Sequence, residues 1–319
     1  MPQYALAFLG AAEAGFVITT RNPTYTSGDI KGHLMNDAAE GTNIQIILIG
    51  DQHDPNCISF ESMLKDPGDL IDSYVTSPDS VEVLPYSSGT TGVPKRVQLT
   101  HWNLVAQMEQ LADPEVKLVD MEQVTVCVLP LYHIFAMHVT MSNMLWNAGK
   151  LVAVSMFEPS MFLKTLVDYR PTTIHIAPPL VGFLANHPAV TPGHLASLNT
   201  IVVGAAPAGQ ALIDLFNKRA PNVRFREEYG MTEMSPAVTF TRLQVEQTGG
   251  SCGQLLSNTN MKVLDMLTEE EKGPGETGEL CFQGPQVMPG YLKIECNKRS
   301  AFFGAINSLV ETVTGEVNI

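Results

Sequence analysis

A ten-residue segment gathers hydroxyls, glycines and a lysine in a pattern suited to phosphate groups. It reads Tyr86, Ser87, Ser88, Gly89, Thr90, Thr91, Gly92, Val93, Pro94 and Lys95. Glycines let backbone amides turn toward an anion, hydroxyls add donors for phosphate oxygens, and a lysine brings a mobile positive charge. Because the segment directly follows a predicted strand, we interpret it as a phosphate-binding loop and not as a polar loop that binds nothing.

The residues around the lysine exclude the loop of P-loop nucleotide triphosphatases. That loop requires Gly-Lys followed by Ser or Thr. Here Pro94 precedes Lys95 and Arg96 follows it. The predicted phosphate loop therefore belongs to another class of nucleotide-binding protein.

A second segment combines a stacking ring with acidic and hydroxyl groups. It reads Glu227, Glu228, Tyr229, Gly230, Met231, Thr232 and Glu233. A tyrosine ring can stack on a flat base, and the Thr232 hydroxyl can donate to a phosphate oxygen. Carboxylate oxygens such as those of Glu233 suit Mg²⁺. The segment predicts a nucleotide site with a metal ligand.

Two further segments place small or polar residues just after predicted strands. Gly204, Ala205, Ala206 and Pro207 follow one strand, and their small size permits close approach of a flat ring. His133 follows the strand end at Pro130, so we expect His133 to project from a strand-to-helix turn.

In order and spacing, these segments resemble the signature motifs of the adenylate-forming, or AMP-binding, superfamily. That superfamily contains acyl-CoA synthetases, 4-coumarate–CoA ligases and beetle-type luciferases. The resemblance extends over roughly Leu6 to Lys293. It implies ATP-dependent activation of a carboxylic acid to an acyl-adenylate, followed by transfer to coenzyme A, with ATP, Mg²⁺ and coenzyme A taking part.

The resemblance also implies residue roles. The implied catalytic residues are His133, Thr232, Glu233 and Lys95, with Glu233 as the metal ligand. The implied nucleotide-binding residues are Ser87, Ser88, Gly89, Thr90, Thr91, Gly92, Lys95, Gly204, Ala205, Ala206, Pro207, Glu227, Glu228, Tyr229, Gly230, Met231 and Thr232. The implied acid-binding residues are His133, Phe135, Gly230, Pro236, Ala237 and Val238, which suggests an apolar site for aromatic or medium-chain fatty acids, bordered by His133 and Phe135 outside the core.

Three positions depart from the family pattern. Arg96 stands where glycine is usual, Gln283 where arginine is frequent, and Met156 where a basic residue often reaches coenzyme A. Two alternatives to a ligase remain open: a catalytically impaired fragment that binds nucleotide or acyl groups, and a luciferase-like oxygenase.

The resemblance stops before both ends of the family pattern, so we expect a chain truncated at both ends. The stretch from Cys296 to Ile319 does not resemble the family's ribose-binding segment, hinge and C-terminal domain. Relatives are cytoplasmic or peroxisomal, which implies an intracellular location. The chain ends in Val317, Asn318 and Ile319 and lacks a peroxisomal tripeptide.

The elements that must position these residues alternate between strands and helices. Strands are predicted at Ile44–Ile49, Val81–Tyr86, Val124–Leu129, Leu151–Val154, Thr173–Ile176, Ile201–Val203, Met261–Leu264 and Glu279–Phe282. Helices are predicted at Met1–Gly15, Trp102–Leu111 and Ala208–Lys218. The alternation indicates an α/β fold with mainly parallel sheets flanked by helices. We predict an α/β body over 1–235, a small β-rich subdomain over 236–293 and a divergent tail over 294–319.

Composition limits the remaining function classes. Hydrophobic residues make up 45% and charged residues 16%, which is enough apolar material for a core. A net charge of −14 argues against nucleic acid as a partner, and no apolar run reaches the length of a transmembrane helix. Five scattered cysteines suit a reducing interior. The acid is the only small-molecule partner implied beyond the cofactors, and no protein partner is inferred.

Overall fold

The computed structural model describes residues 2–20, 22, 47–49, 55, 57–66, 68, 77–87, 95–273, 275–292, 303–305, 311–313 and 316–318. The α-helices are α1 Pro2–Glu13, α2 Phe60–Lys65, α3 His101–Ala112, α4 Asn143–Trp146, α5 Pro159–Tyr169, α6 Pro178–Asn186, α7 Pro192–Leu195 and α8 Gln210–Arg219. A π-helix covers Phe135–Ser142 and a 3₁₀ turn covers Thr232–Met234.

The strands are short and fall into several sheets. They are β1 Ile47–Leu48, β2 Ile58–Ser59, β3 Val81–Val83, β4 Tyr86–Ser87, β5 Lys95–Thr100, β6 Val124–Cys127, β7 Lys150–Ala153, β8 Thr173–Ile176, β9 Thr200–Val203, β10 Arg224–Gly230, β11 Ala237–Phe240, β12 Gln254–Leu255, β13 Asn260–Leu264, β14 Glu271–Lys272, β15 Glu279–Gln283, β16 Gly290–Tyr291, β17 Phe303–Ala305, β18 Glu311–Val313 and β19 Glu316–Asn318.

The largest sheet has seven strands in the order β12-β11-β10-β9-β8-β6-β7. Five adjacent strands, β10, β9, β8, β6 and β7, pair in parallel. Strands β11 and β12 add two antiparallel strands next to β10. The predicted α/β class with a mainly parallel sheet is confirmed. The carboxyl ends of parallel strands meet at one edge of a sheet, where ligands bind in folds of this kind.

Apolar side chains cover both faces of this sheet. On one face, Ile201 and Val203 pack in a cluster with residues of α5, α6 and α8. On the other face, Val202 packs with α3 and the π-helix. Continuous apolar runs are expected of parallel strands buried on both sides, which explains why these strands could be identified from the sequence.

Helix α3 confirms the predicted helix, and Thr100 caps it. The Thr100 side chain accepts from the Asn103 backbone N–H at 3.2 Å, and Asn103 Oδ1 accepts from the Thr100 N–H at 3.0 Å. This reciprocal pair satisfies two donors that the first helical turn leaves free. Asn103 also donates to the carbonyls of Pro285 and Val287, which ties α3 to the segment before β16.

The strands after residue 236 belong to four sheets, one of which is the antiparallel pair β18 and β19. Strands β11 and β12 extend the seven-stranded sheet, and β13, β14, β15 and β17 form a separate antiparallel sheet. Strand β16 pairs with β5, with Tyr291 opposite Val97. The chain thus returns from the small sheet to the hairpin that flanks the predicted phosphate loop.

Several sequence-based predictions fall outside the described residues. They include the start of the predicted strand at Ile44, the phosphate-loop residues Ser88, Gly89, Thr90, Thr91 and Gly92, and most of the tail over 294–319. Within the described part of the chain, no helix is long and apolar enough to cross a membrane.

Candidate active site

The turn after β9 and the end of β10 form the walls of one cleft. Because β9 and β10 are parallel neighbours, with Val203 opposite Glu227, their carboxyl ends lie side by side. The cleft has a volume of about 210 Å³. Its lining residues are Ala205, Ala206, Pro207, Glu227, Glu228, Tyr229, Gly230, Gly250 and Cys252. The structure therefore brings together the small-residue turn and the tyrosine that the sequence suggested for a flat base.

Gly250 and Cys252 are lining residues that the sequence reasoning missed. Gly250 lies in a glycine-rich turn with a φ of +88°, which favours glycine. Cys252 is buried and packs with Met234 and Phe282. The pair of glycines at 249–250 was the available signal for this turn, but residue types alone do not show which strand ends the turn reaches.

The Glu227 carboxylate holds the turn at one side of the cleft. Its Oε1 accepts from the backbone N–H of Ala208 at 2.8 Å, and Gln247 Nε2 lies 3.3 Å from its Oε2. Burial raises the pKa of Glu227 to about 7, although the Ala208 N–H opposes that shift. The Glu227 carboxylate therefore fixes the position of the segment that leads into α8.

The Glu228 carboxyl fills the space beside Gly204. A Cβ added at Gly204 would lie 2.8 Å from Glu228 Oε1, so only glycine leaves room for this side chain. Glu228 Oε2 is buried and, among the described residues, has no hydrogen-bond partner. Burial raises the pKa of Glu228 to about 8. A protonated carboxyl therefore lies at the cleft near neutral pH.

Replacing Glu228 by glutamine should remove a pH dependence of stability. The folded-state pKa lies above the ordinary value, so the folded protein binds the proton more tightly, and stability falls as pH rises from about 4.5 to about 8. Glutamine does not titrate, so we expect Glu228→Gln to gain roughly 1 to 3 kcal/mol relative to the unaltered chain between pH 6 and pH 8.5, at about 1.4 kcal/mol for each unit of pKa difference. Urea unfolding at the two pH values measures the difference.

The control for this comparison is Glu122→Gln, which alters an exposed glutamate. It should leave the difference between the two pH values as it is in the unaltered chain. A Glu228→Gln variant whose stability follows pH as the unaltered chain does would show that the Glu228 carboxyl ionises freely in the folded state.

The 3₁₀ turn after β10 carries the predicted metal ligand. Glu233 is buried, and its Oε1 accepts from the Tyr291 hydroxyl at 2.7 Å. Its carbonyl accepts from the Met288 N–H at 2.9 Å. A Cβ added at Gly230 would lie 2.1 Å from the Pro236 carbonyl oxygen, so glycine is required where the backbone doubles back. The turn is therefore fixed on both sides.

The ends of the predicted phosphate loop lie against this turn. Ser87 pairs with Lys95 across the β4–β5 hairpin, and both strands pack against the 3₁₀ turn. Lys95 Nζ lies 5.2 Å from the centroid of the Tyr291 ring. The structure thus brings Lys95 and Glu233, which are 138 positions apart in the sequence, to one region at the carboxyl end of the sheet.

The donor set around Glu233 fits Mg²⁺ bound together with a nucleotide. Among the described residues, no group of three His, Cys, Asp or Glu side chains could hold a metal by itself. Mg²⁺ usually takes one or two carboxylates and completes its six ligands with substrate phosphates and water. A carboxylate has two oxygens, so the bond from Tyr291 to Oε1 leaves Oε2 for a cation.

The predicted acid-binding residues lie in two environments. His133 is exposed, and its Nδ1 accepts from the Phe135 N–H at 3.3 Å. Desolvation by the surrounding protein lowers the pKa of His133. Phe135 is 3% exposed and packs with Ala237 in the cluster below α3, with its ring edge-on to His175. The prediction that Phe135 lies outside the core is therefore wrong, because the π-helix packs its ring into this apolar cluster. A direct contact of Phe135 with an acid stays a prediction.

The remaining residues of that set lie around β11. Gly230 pairs with Ala237 across β10 and β11. Val238 points to the opposite side and packs with Met234 and Phe282. The alternation of side chains along a strand separates Ala237 from Val238. Only one of these two side chains can therefore share an environment with Phe135.

The segment around the predicted coenzyme A position has a local structural role. Met156 is exposed. Glu158 caps α5, because its side chain accepts from the N–H groups of Ser160 at 3.0 Å and Met161 at 2.7 Å. Glu158, two positions after Met156, thus starts a helix here.

Comparisons with known proteins agree with this geometry. The family model described as "AMP-binding enzyme" matches residues 1–292. The chain is 33% identical to 4-coumarate–CoA ligase 1 of Petroselinum crispum over 314 residues, covering 91% of the chain and 58% of that relative. It is 32% identical to 4-coumarate–CoA ligase 3 of Arabidopsis thaliana, covering 56% of that protein. The chain thus spans less than two thirds of the length of these relatives.

Solved structures share the fold. ATP-bound MatB from Rhodopseudomonas palustris superimposes with a TM-score of 0.87 at 21% identity, over 100% of this chain and 66% of MatB. O-succinylbenzoate coenzyme A synthetase from Bacillus subtilis, in complex with ATP and magnesium, gives a TM-score of 0.82 at 20% identity, over 100% of this chain and 66% of that chain.

Proposed function

Because the chain belongs to the AMP-binding enzyme family, we propose that it activates a carboxylic acid with ATP and passes the acyl group to coenzyme A. The observation that supports this proposal most strongly is the junction at the carboxyl end of the sheet. There the cleft walled by Ala205–Pro207 and Tyr229 adjoins the turn that carries Thr232 and Glu233. Lys95 lies at the same junction, beside Tyr291.

In the first step, a carboxylate oxygen of the acid attacks the α-phosphorus of ATP. The bond from that phosphorus to the bridging oxygen breaks, and pyrophosphate leaves with its electron pair. Tyr229 and the turn from Ala205 to Pro207 enclose the base, and Lys95 faces the phosphates that leave. The Thr232 hydroxyl donates to an α-phosphate oxygen as charge accumulates there. Mg²⁺ held with ATP at Glu233 supplies further positive charge.

In the second step, the thiol sulfur of coenzyme A attacks the acyl carbonyl carbon. The carbon–oxygen bond to AMP breaks, AMP leaves, and the thiol proton passes to solvent. His133, which lies exposed at the turn before the π-helix, orients the acid in both steps, because fixed geometry lowers the entropic cost of attack. The apolar character of the predicted acid-binding set around β11 favours an aromatic or medium-chain aliphatic acid as the substrate class.

ATP–pyrophosphate exchange tests this proposal directly. The purified chain is incubated with MgATP, labelled pyrophosphate and a panel of aromatic and aliphatic acids. We expect label to enter ATP only when a suitable acid is present, because adenylation is reversible. MgATP binding without exchange for any acid would favour a nucleotide-binding protein over a ligase, and failure to bind MgATP would refute both.

A further inference from the structure

The Tyr291 side chain contacts both charged groups that the proposed reaction needs. Its hydroxyl donates to Glu233 Oε1 at 2.7 Å. The face of its ring lies 5.2 Å from Lys95 Nζ. The position of Tyr291 is defined by the fold, because the residue is half-buried and belongs to β16. Strand β16 pairs with β5, which begins at Lys95.

Backbone hydrogen bonds hold Tyr291 in register with the lysine. Tyr291 lies opposite Val97, and the Leu292 N–H donates to the carbonyl of Arg96 at 2.9 Å. On the other side, the Met288 N–H donates to the carbonyl of Glu233. The segment from Met288 to Leu292 therefore bridges the Glu233 turn and the start of β5.

We propose that Tyr291 is a positioning residue that orients the Glu233 carboxylate for Mg²⁺ and holds Lys95 apart from it for the phosphates of ATP. This inference rests on the proposed function, since it assigns a role within the same MgATP site. Tyr291 itself does not touch the reacting groups. It acts through its contacts with Glu233 and Lys95.

The separation of the two charges has a physical consequence. In the described part of the chain, no ion pair joins Lys95 to Glu233. A direct pair would neutralise both groups and compete with the ligand for each of them. With the aromatic ring beside Lys95, the cation is held by a weaker attraction that a phosphate can replace.

The hydroxyl has a separate role from the ring. A carboxylate that binds Mg²⁺ through one oxygen is usually fixed by a hydrogen bond to the other, and loss of such a partner typically lowers metal affinity about 10- to 100-fold. The Tyr291 hydroxyl occupies Oε1, which leaves Oε2 as the oxygen that would hold the cation. Removal of the hydroxyl alone should therefore affect the metal and spare the lysine.

Titration calorimetry on the whole chain separates these roles. ATP affinity is measured for the unaltered chain, Tyr291→Phe and Tyr291→Leu, once with excess Mg²⁺ and once with EDTA. We expect Tyr291→Phe to reduce the tightening of ATP binding by Mg²⁺ about 10-fold and to leave the affinity in EDTA within about 2-fold. Tyr291→Leu should also weaken binding in EDTA about 2- to 5-fold, because the ring contact to Lys95 is lost.

Tyr169→Phe is the matched control, because Tyr169 also has a lysine over its ring, Lys150 Nζ at 5.9 Å. That pair lies at the first residue of β7, at the opposite end of the sheet, so this variant should leave both affinities unchanged. Thermal melting of each variant reports on folding. A parallel loss of melting temperature and of ATP affinity in EDTA for Tyr291→Phe would mean a structural role and overturn the proposal.

Two further outcomes keep the positioning role distinct from the proposed function. If the unaltered chain binds MgATP more tightly than ATP, and Tyr291→Phe does so equally, the positioning role is wrong while the nucleotide site stands. If the unaltered chain binds no nucleotide under either condition, the proposed function fails and the positioning role fails with it.

Discussion

Glutamine in place of Glu233 should lower ATP–pyrophosphate exchange by roughly 100- to 1000-fold, the range found when one preorganised group that stabilises transition-state charge is removed. The Glu233 carboxylate is buried and already oriented by the Tyr291 hydroxyl, so the site is organised for a cation before the ligand arrives. Glutamine keeps the shape and one oxygen but removes the negative charge that holds Mg²⁺. We expect the loss mainly in the maximal rate, measured over a series of Mg²⁺ concentrations.

Glu82→Gln provides the control for Glu233→Gln. The Glu82 carboxylate lies mostly buried against His101 at 2.9 Å, outside the cleft. Its replacement should leave exchange close to that of the unaltered chain. An equal fall in both variants would indicate general destabilisation, and full exchange by Glu233→Gln would remove the metal role from Glu233.

Alanine in place of Lys95 should weaken MgATP binding about 10- to 100-fold. Charge-assisted hydrogen bonds contribute about 1.5 to 3 kcal/mol, and each 1.4 kcal/mol corresponds to a factor of ten in affinity. Lys95 begins β5 directly after the predicted phosphate loop, and its ammonium group lies over the Tyr291 ring. Titration calorimetry at fixed Mg²⁺ gives the two affinities.

Lys150→Ala is the corresponding control, because Lys150 also lies over a tyrosine ring but at the amino end of the parallel sheet. Its affinity for MgATP should match that of the unaltered chain. Equal affinity in Lys95→Ala and the unaltered chain would show that Lys95 does not face a phosphate.

The elements that lie within the parallel sheet could be predicted from the sequence alone. Strand β8 was predicted at its observed bounds, Thr173–Ile176, and β9 within one residue. These strands are buried on both faces, and apolar residues dominate them, with His175 as a buried polar residue inside β8. Helix α3 could also be predicted from the sequence, because Thr100 and Asn103 form a local cap that does not depend on distant residues.

Two other elements could not be predicted in the same way. The strand Ala237–Phe240 pairs with β10 across a tight return, in which Gly230 lies close to the Pro236 carbonyl, and its sequence carries no separate strand signal. The π-helix Phe135–Ser142 was predicted only as a turn into a helix. Its hydrogen-bond pattern differs from that of an α-helix by one residue per turn, which apolar periodicity does not resolve.

The candidate site shows the same limit. The motifs around Lys95 and Glu233 were identified from residue types and spacing, but neither type nor spacing shows that Tyr291 contacts both residues. That contact arises because β16 returns to pair with β5. The burial of Glu228 could not be predicted either, because it depends on packing against Gly204 at the end of the neighbouring strand. This burial raises the pKa of Glu228.

A crystal structure of the chain with Mg²⁺ and a non-hydrolysable ATP analogue is the sharpest test of the proposed MgATP site. We expect the adenine between the Tyr229 ring and the backbone of Ala205 to Pro207, the metal within about 2.1 Å of a Glu233 carboxylate oxygen, and Lys95 turned toward the terminal phosphates. A nucleotide bound away from Tyr229, or a metal held only by phosphates and water with Glu233 still bonded to Tyr291 alone, would contradict it.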